Sequence, residues 1–287
     1  MRPVPANARL ISLKDALGDR QRYDCVINHN ITDLLDTKGI AAPRLLVLHD
    51  TLEGRMAQQG ATFDPREMRA TLNTYLTSVG GHAIAVSRMK SRSWGVAHGI
   101  VRNSVDTDAY LPHTGETPSG LRVANHVTSK RVFLAWDFHE RGLDGLPVKL
   151  VGHNADLAGV AAAGDWDELK RDFSTHRFYV HTADPRYEDG FNMAMLEAMA
   201  AGMPVLTNRH PTTIVEHGKS GFVCDSPEAM RRHARDLLAN PGMAMDMGQR
   251  ARERVRAEFS PIRFKVELMR AIADARKKWS RRSRVAA

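Results

Sequence analysis

The segment 189–204 constrains the fold of this chain most, because it predicts a buried helix that contains a charged residue. Asn192 is a good helix N-cap, and Gly202 followed by Pro204 is a typical stop. The residues between them are almost all Met, Ala or Leu, so the helix has no polar face and is expected to be buried. Glu197 lies in its middle, and no Lys or Arg stands at a neighbouring helical position. A buried carboxylate is unfavourable unless a partner compensates it.

The partner of Glu197 must therefore come from elsewhere in the fold or from a ligand. The loop before the helix favours a ligand, because Gly190 and the first N–H groups of the helix offer an anion site suited to a phosphate. The pattern alone also fits a core helix whose Glu meets a distant Arg.

The same segment resembles the donor-site signature of the GT4-type glycosyltransferases. That family has a Glu, seven residues, a second Glu and then Ala-Met-Ala-x-Gly-x-Pro-Val. Here Asp189 stands in place of the first Glu, Glu188 comes one position too early, and Glu197 matches the second Glu. The resemblance is strongest over residues 177–262.

The rest of the chain alternates short apolar runs with helical stretches, which is typical of parallel strands buried on both faces. Strands are expected at 23–28, 43–48, 82–86, 97–101, 121–126, 147–151, 177–181, 204–207 and 221–224. The expected fold class is α/β. The resemblance implies the GT-B architecture of two Rossmann-like doubly wound domains, with an unusually short N-terminal domain.

The segment 112–120 is rich in Pro, Gly and Thr and is predicted to be a linker. It separates a short N-terminal Rossmann-like domain over 1–111, on the acceptor side, from a sugar-nucleotide-binding Rossmann-like domain over 121–262. Residues 263–287 are predicted to form an amphipathic helix with a basic tail. The resemblance implies that this helix returns to the N-terminal domain.

Ligands of parallel α/β sheets bind at the carboxyl ends of the strands. His29, His49 and Ser87 each follow an expected strand. We favour a capping or loop role for His29. The resemblance implies that His49 faces the sugar and its phosphate, so His49 and Asp189 are the catalytic candidates.

The segment 121–131 resembles the family's Val-Gly-Arg-x-x-x-x-Lys-Gly, whose two basic residues grip the pyrophosphate of the donor. Lys130 matches the Lys and Asn125 takes the place of the Arg. Arg131 replaces the final Gly and is the alternative source of the second cation. We expect Arg122 to face solvent at the start of its strand.

The resemblance thus implies a set of donor-binding residues: Asn125, Lys130, Arg131, Gly190, Phe191, Asn192 and Glu197. In this interpretation Lys130 and the N-terminus of the buried helix neutralise the leaving diphosphate. Glu197 accepts hydrogen bonds from both ribose hydroxyls, and Asp189 accepts them from the transferred sugar.

No cofactor is expected, and the donor substrate is a UDP-sugar or a GDP-sugar. No His, Cys or carboxylate cluster has metal-ligand spacing near the donor segment, and Asp106 and Asp108 lie in a turn before the linker. The expected reaction is metal-independent, and the resemblance implies retention of the anomeric configuration.

The excess positive charge of the chain is confined to its C-terminal fifth. Residues 231–287 contain 16 Lys and Arg against 6 Asp and Glu, and the first 230 residues contain 25 against 27. This basic end, which includes Trp279, predicts contact with a polyanion such as a phosphate backbone or an anionic membrane surface. A solvated helix end explains the same pattern.

The two cysteines, Cys25 and Cys224, are far apart, which favours a reducing compartment. The opening residues lack the apolar core of a signal peptide, and no apolar run reaches the length of a membrane span. The expected location is the cytoplasm or the periphery of a membrane.

The sequence leaves the acceptor open: it is a lipid-linked or surface glycan, or DNA with a modified base. A sugar-nucleotide-binding protein with weak or no catalysis is a second interpretation, because Asp189 and Asn125 depart from the family pattern. A glycogen-phosphorylase-like enzyme is a weaker third, since it needs a pyridoxal-binding Lys and a far longer chain.

Overall fold

The computed structural model describes residues 4–19, 22–60, 63–96 and 98–285. They form two units, an N-terminal unit of residues 4–103 with 262–285 and a second unit, Ser104–Pro261. The helices are α1 Leu13–Gly18, α2 Ile31–Asp36, α3 Leu52–Gln59, α4 Pro65–Ser78, α5 Arg88–Trp94, α6 Trp136–Leu143, α7 Trp166–Thr175, α8 Met193–Ala201, α9 Pro227–Ala239, α10 Pro241–Glu258 and α11 Pro261–Val285, with 3₁₀ turns at Thr37–Gly39 and Thr107–Ala109. The strands are β1 Val26–Asn28, β2 Arg44–Leu48, β3 His82–Ala85, β4 Thr117–Val123, β5 Val148–Val151, β6 His176–His181, β7 Val205–Asn208 and β8 Gly221–Cys224.

The N-terminal unit contains a three-stranded parallel sheet in the order β1-β2-β3. Successive residues of a strand point to opposite faces. Leu46 and Ala83 belong to the cluster that α2, α3 and α4 cover, and Leu45 and Ile84 pack with residues of α11. Both faces of β2 and β3 are therefore buried, which explains why these two strands are apolar after their first residues, Arg44 and His82.

The helix α11 covers its side of this sheet with one apolar stripe. Ala271 and Ala275 are buried, and Phe264, Leu268 and Ile272 pack beside them. The opposite side of the helix carries many of the cations of the basic C-terminal end. In the described part of the chain, no helix combines the length and the apolar character needed to span a bilayer.

The second unit contains a five-stranded parallel sheet in the order β5-β4-β6-β7-β8. Helices α7 and α8 cover one face, and α6 and α9 cover the other. All neighbouring pairs are parallel, so the carboxyl ends of the adjacent strands β4, β6 and β7 lie on the same edge. This is the Rossmann-like arrangement that the sequence predicted.

The apolar runs predicted the strands correctly except at 97–101. Ala97 lies outside the described residues, and the rest of that run forms one isolated bridge, between Ala85 and Ile100. Three backbone hydrogen bonds still join this run to β3, from His98 to Ala83, from Ala85 to Gly99 and from Val101 to Ala85.

The segment 112–120, predicted as a linker, differs from that prediction in the structure. Its last residues begin β4, and the N–H of Thr114 donates to the carbonyl of Ser174 at 2.8 Å. The division between the two units falls after Asn103 and again after Pro261. Pro and Gly residues indicate an irregular backbone. They do not show whether that backbone links two units or packs within one, and here it packs within the second unit.

Arg122 does not face solvent, and that prediction was wrong. The residue lies in β4 and is 1% exposed. Its two terminal nitrogens donate to the carbonyls of Val180 at 3.0 Å and Thr182 at 3.1 Å, and burial lowers the pKa of the guanidinium. The strand is internal in the sheet and covered on both faces, so the centre of the strand has no solvent-facing side.

Candidate functional site

The helix α8 begins and ends as the sequence predicted. Oδ1 of Asn192 accepts a hydrogen bond from the N–H of Met195 at 2.8 Å. Gly202 follows the helix with a φ of 100°, and its N–H donates to the carbonyl of Met199. Every residue from Met195 to Ala201 is buried. The prediction of a helix enclosed on all sides is confirmed.

Glu197 lies within this enclosed helix, and only 8% of it is exposed. Its chain neighbours Leu196 and Ala198 belong to the largest apolar cluster of the second unit. Glu197 is the charged residue of a helix that otherwise consists of Met, Ala and Leu, so it is the residue of the segment whose chemistry points to function.

The loop before α8 lies tightly against the segment that follows β7. The N–H of Gly190 donates to Oγ1 of Thr212 at 2.8 Å. A Cβ at Gly190 would lie 2.7 Å from Nδ1 of His210 and 2.7 Å from the backbone N of Thr213. Only glycine permits this approach. Phe191 anchors the other side of the loop through an edge contact with Phe259, at 5.7 Å between ring centroids.

Asp189 is 2% exposed, and its charge acts on the imidazole of His210. His210 is a residue of the site that the sequence analysis did not predict. Burial lowers the pKa of His210, and the charge of Asp189 partly opposes that shift. Nδ1 of His210 accepts from the N–H of Thr212 at 3.2 Å, which places the proton of a neutral imidazole on Nε2. The position of His210 after the carboxyl end of β7 could have indicated it, because ligands of parallel sheets bind at that edge.

The carboxyl ends of β6 and β7 are held together by Asn208, a second residue that was not predicted. Its side-chain oxygen accepts from the N–H of Ala183 at 3.0 Å, and its amide nitrogen donates to the carbonyl of the same residue at 3.0 Å. The N–H of Asp184 donates to the carbonyl of Phe133 at 2.9 Å. These bonds tie the turn that carries Lys130 to the end of β6.

The two candidate cations of this turn differ in their surroundings. Arg131 is exposed, lies 2.6 Å from Asp137 and also pairs with Glu140. The hydrogen bond to Glu140 raises the pKa of Arg131. Its charge is therefore compensated locally, which weighs against a role at a diphosphate. Lys130 is half-buried, and no ion pair to it occurs in the residues that the structure describes.

Asn125 joins the carboxyl ends of β4 and β5. Its side-chain oxygen accepts from the N–H of His153 at 2.8 Å, while the side chain remains exposed. Gly152 makes the close approach of the two ends possible, because with a φ of 148° its Cβ would lie 2.1 Å from the carbonyl of Ala124. The amide group of Asn125 stands where the resemblance places an arginine, but it carries no charge.

His49 lies in the N-terminal unit, and its ring contacts His29. Nδ1 of His29 is 2.8 Å from Nε2 of His49, and the rings stack with centroids 5.1 Å apart. His29 does not cap α2, because Asn30 does, and it lies in the bend between β1 and α2, as the loop alternative of the prediction expected. The pKa of His49 is lowered first by burial and then by His29 and Lys90.

The Asp106–Asp108 turn is held by contacts within the second unit. The side chain of Asp106 caps a 3₁₀ turn, and Asp108 pairs with Arg256 at 2.8 Å. Within the described ranges of the chain, no group of three or more His, Cys, Asp and Glu side chains is placed to hold a metal ion.

Comparison of the sequence with known families identifies one matching segment. Residues 160–254, less than half of the chain, match the family of glycosyl transferases group 1. A 76-residue alignment is 32% identical to N-acetyl-alpha-D-glucosaminyl L-malate synthase of Bacillus anthracis, covering 25% of this chain and 20% of that protein. The family match over residues 160–254 includes β6, α8 and β7, the elements that surround the loop at Gly190.

Solved structures with the same fold are glycosyltransferases and related synthases. A TarM variant from S. aureus, in complex with fondaparinux, alpha-GlcNAc-glycerol and UDP, aligns with a TM-score of 0.64 at 16% identity, over 84% of this chain and 52% of that one. HepE from Anabaena, in complex with UDP and glucose, aligns with a TM-score of 0.63 at 15% identity, over 91% of this chain and 79% of that one. Sucrose-phosphate synthase from Thermosynechococcus elongatus aligns with a TM-score of 0.62 at 15% identity, over 86% of this chain and 72% of that one.

This chain spans about half the length of the TarM chain. At such low identities the structural similarity establishes the fold alone. Residues 160–254 thus match the group 1 glycosyl transferases, within a parallel-sheet α/β chain whose fold is that of GT-B glycosyltransferase structures.

Proposed function

We propose that this chain transfers a sugar from a nucleoside-diphosphate sugar, a UDP-sugar or a GDP-sugar, to an acceptor. Glu197 is the observation that carries the proposal, because it is a carboxylate enclosed in an apolar helix whose N-terminus follows a tight glycine loop. A ribose offers two neighbouring hydroxyls that one carboxylate can accept from. A diphosphate suits the N-terminus of a helix.

The start of α8 supplies the groups that a leaving diphosphate needs. The N–H groups of Met193 and Ala194 lie in the first helical turn, where helix geometry provides no intrahelical acceptor. The helix dipole adds partial positive charge at the same end. Lys130 supplies a full charge from the turn after β4. Negative charge that grows on the diphosphate as the sugar leaves is stabilised by these fixed groups.

Asp189 enters this proposal with one structural condition. The resemblance assigns it to hydroxyls of the transferred sugar, but its carboxylate is 2% exposed. Contact with a sugar therefore requires the loop around Gly190 to shift. If the loop stays in place, Asp189 holds His210 and the loop, and the half-buried Glu188 is the next candidate for the sugar.

The proposal also includes a role for His49 and a reaction that needs no divalent metal. Burial favours the neutral imidazole of His49, which can donate or accept one hydrogen bond toward a sugar or a phosphate. We propose transfer with retention and without a divalent metal, because Lys130 and the helix N-terminus take over the neutralising role of a cation. The acceptor is a lipid-linked or surface glycan, or DNA.

The comparisons support the donor class. TarM and HepE are described in complexes that contain UDP, and one HepE complex contains UDP-glucose. The B. anthracis protein is named for synthesis of an N-acetylglucosaminyl product.

A panel of UDP-sugars and GDP-sugars, screened by thermal unfolding with and without EDTA, tests the proposal. A ligand at about 100 times its Kd stabilises a protein by about 2.7 kcal/mol, which is a measurable shift in Tm. We expect at least one nucleotide sugar to raise Tm and then to be hydrolysed or transferred, equally with EDTA. No shift with any donor would contradict the donor assignment. Loss of transfer in EDTA that manganese restores would contradict metal independence.

A sugar-nucleotide-binding protein without catalysis is the second candidate. The ion pairs of Arg131 favour it, because the turn after β4 then offers the diphosphate one free charge where the family pattern has two. Product analysis separates the two functions. Binding without hydrolysis or transfer, across a panel of acceptors, would support the second candidate.

A further inference from the structure

A basic cavity lies in the N-terminal unit, beside the turn that precedes β3. Its volume is about 620 Å³. Its wall consists of the end of α4, the turn Gly80–Gly81, His98 and three cations of α11, namely Lys278, Arg281 and Arg282. The cavity therefore contains cations of the basic C-terminal end, which the proposed transfer reaction does not use.

This cavity lies at the opposite edge of the sheet from the His29–His49 pair. Gly81 directly precedes β3, whereas His49 directly follows β2, which runs parallel to β3. The four residues of β3 span about 13 Å at about 3.3 Å per residue. The cavity is therefore separate from the carboxyl edge of this sheet.

Among the residues that the structure describes, no ion pair joins the three cations of the cavity to a carboxylate, although the charge of Asp274 acts on Lys278 and partly opposes the lowering of its pKa. The neighbouring Lys277, by contrast, pairs with Asp274 at 3.1 Å. Lys278 is half-buried, and burial lowers its pKa. One half-buried ammonium group beside two exposed guanidinium groups, in a wall whose described residues include no acid, favours the binding of an anion.

Arg282 packs against its own helix and against the turn before β3. The guanidinium of Arg282 lies 5.3 Å from the centroid of the Trp279 ring. Gly80 has a φ of 62°, and a Cβ there would lie 3.2 Å from Cβ of Arg282, so the turn and the helix are in close contact. His82 and His98 stack behind Lys278, with centroids 5.4 Å apart.

The other polar groups of the cavity contribute little positive charge. Burial and Lys278 lower the pKa of both imidazoles, that of His82 to about 4. The hydroxyls of Thr77 and Ser78 donate to carbonyls of their own helix, both at 2.8 Å. Recognition of a ligand therefore depends on the cations of α11.

We propose that this cavity binds a phosphate group, carried either by a phosphorylated small molecule or by a lipid headgroup. Guanidinium groups bind phosphate oxygens in a two-point geometry, and an ammonium group adds a point charge. None of the described residues that line the cavity is an acid, which suits an anion with more than one negative charge. The proposal does not depend on the proposed transfer reaction.

Binding of pyrophosphate, measured by calorimetry on the full chain, tests the free ligand, and sedimentation with phosphatidic acid or phosphatidylcholine vesicles tests the lipid. The test variant is Lys278→Gln/Arg281→Gln. The control is Lys265→Gln/Arg270→Gln, which removes the same charge from α11 outside the cavity. Arg281→Gln alone and the Tm of every variant exclude a folding defect.

We expect the test variant to bind at least about tenfold more weakly, because charge-assisted hydrogen bonds are lost, and the control to change less than about twofold. Such a loss for pyrophosphate identifies a soluble ligand, and such a loss confined to phosphatidic acid vesicles identifies a lipid headgroup. Equal losses in test and control would show general attraction to the helix and overturn the site. Binding of neither probe would also overturn it.

Discussion

Nδ1 of His29 lies 2.8 Å from Nε2 of His49, so the imidazoles that follow the neighbouring strands β1 and β2 share one hydrogen bond. One of these two nitrogens carries the hydrogen and the other accepts it, so the tautomer of His49 depends on that of His29. His29 also lowers the pKa of His49, after the larger effect of burial. His29 is therefore a positioning residue for His49.

The variant His29→Phe keeps a stacked ring and removes the hydrogen bond. We expect the pKa of His49 to rise, because one cause of its depression is removed, so the acidic limb of the pH–rate profile moves to higher pH. The rate at neutral pH should fall roughly two- to tenfold, since one hydrogen bond contributes about 0.5–1.5 kcal/mol. The matched control is His98→Phe, which changes another stacked pair of the same unit. An unchanged rate and pH profile in His29→Phe would contradict this role.

Asp189→Ala separates contact with the sugar from support of the loop. If Asp189 binds the transferred sugar, transfer should be abolished while nucleotide affinity changes less than about twofold, within the scatter of neutral substitutions. The measurements are transfer rate, calorimetric affinity for the nucleotide and Tm, with the exposed Asp246→Ala as control. A wild-type transfer rate would show that Asp189 is a loop residue and make Glu188 the next candidate. A combined loss of affinity and Tm would assign Asp189 to the support of His210.

Arg122→Met tests the buried arginine of β4. The change removes the donors to the carbonyls of Val180 and Thr182 and leaves both carbonyls buried. The free energy of unfolding should fall by about 2–6 kcal/mol, since each of the two buried unsatisfied carbonyls costs about 1–3 kcal/mol. Denaturant unfolding measures it, with the exposed Arg171→Met as control. A change below about 0.5 kcal/mol, as at a surface site, would show that the arginine is dispensable.

The helix α8 and most strands could be predicted from the sequence because their signals are local. The cap at Asn192, the stop at Gly202 and the continuous apolar runs of the strands depend only on nearby residues. The same is true of Glu197, because the residues one helical turn away show that this carboxylate has only apolar neighbours on its helix.

The remaining contacts depend on strand order and packing, which short patterns do not encode. The pairing of His29 with His49 requires β1 beside β2, and the burial of Arg122 requires β4 inside its sheet. Arg131 was predicted as the alternative second cation for the donor pyrophosphate, but Asp137 and Glu140 of the following helix pair with it. A local search for acids after Arg131 would have found that partnership.

The buried His139 predicts loss of stability in acid. Burial, with a smaller effect of Arg122, lowers its pKa to about 3, below the ordinary value of 6.5. The unfolded chain therefore takes up a proton first, and the stabilising contribution present above pH 6.5 is lost as the pH falls toward 3. His139→Phe retains stacking on Trp136 and removes the titration.

We expect the free energy of unfolding of the wild type to fall by about 2 kcal/mol more than that of His139→Phe between pH 7 and pH 5. Urea unfolding at both pH values measures the difference. Parallel losses in the two proteins would show that His139 does not titrate on unfolding.

Calorimetric titration of UDP and GDP tests the central claim most directly, namely that Glu197 and Lys130 bind the donor nucleotide. The variants are Glu197→Gln and Lys130→Ala, with the exposed Glu253→Gln on α10 as the control. The account predicts that the wild type and the control bind one of the nucleotides alike. It predicts that Glu197→Gln binds more weakly by about 1.5–3 kcal/mol, the range for a hydrogen bond to a charged group, and that Lys130→Ala is also weakened. Unchanged affinity in both variants would contradict the donor site.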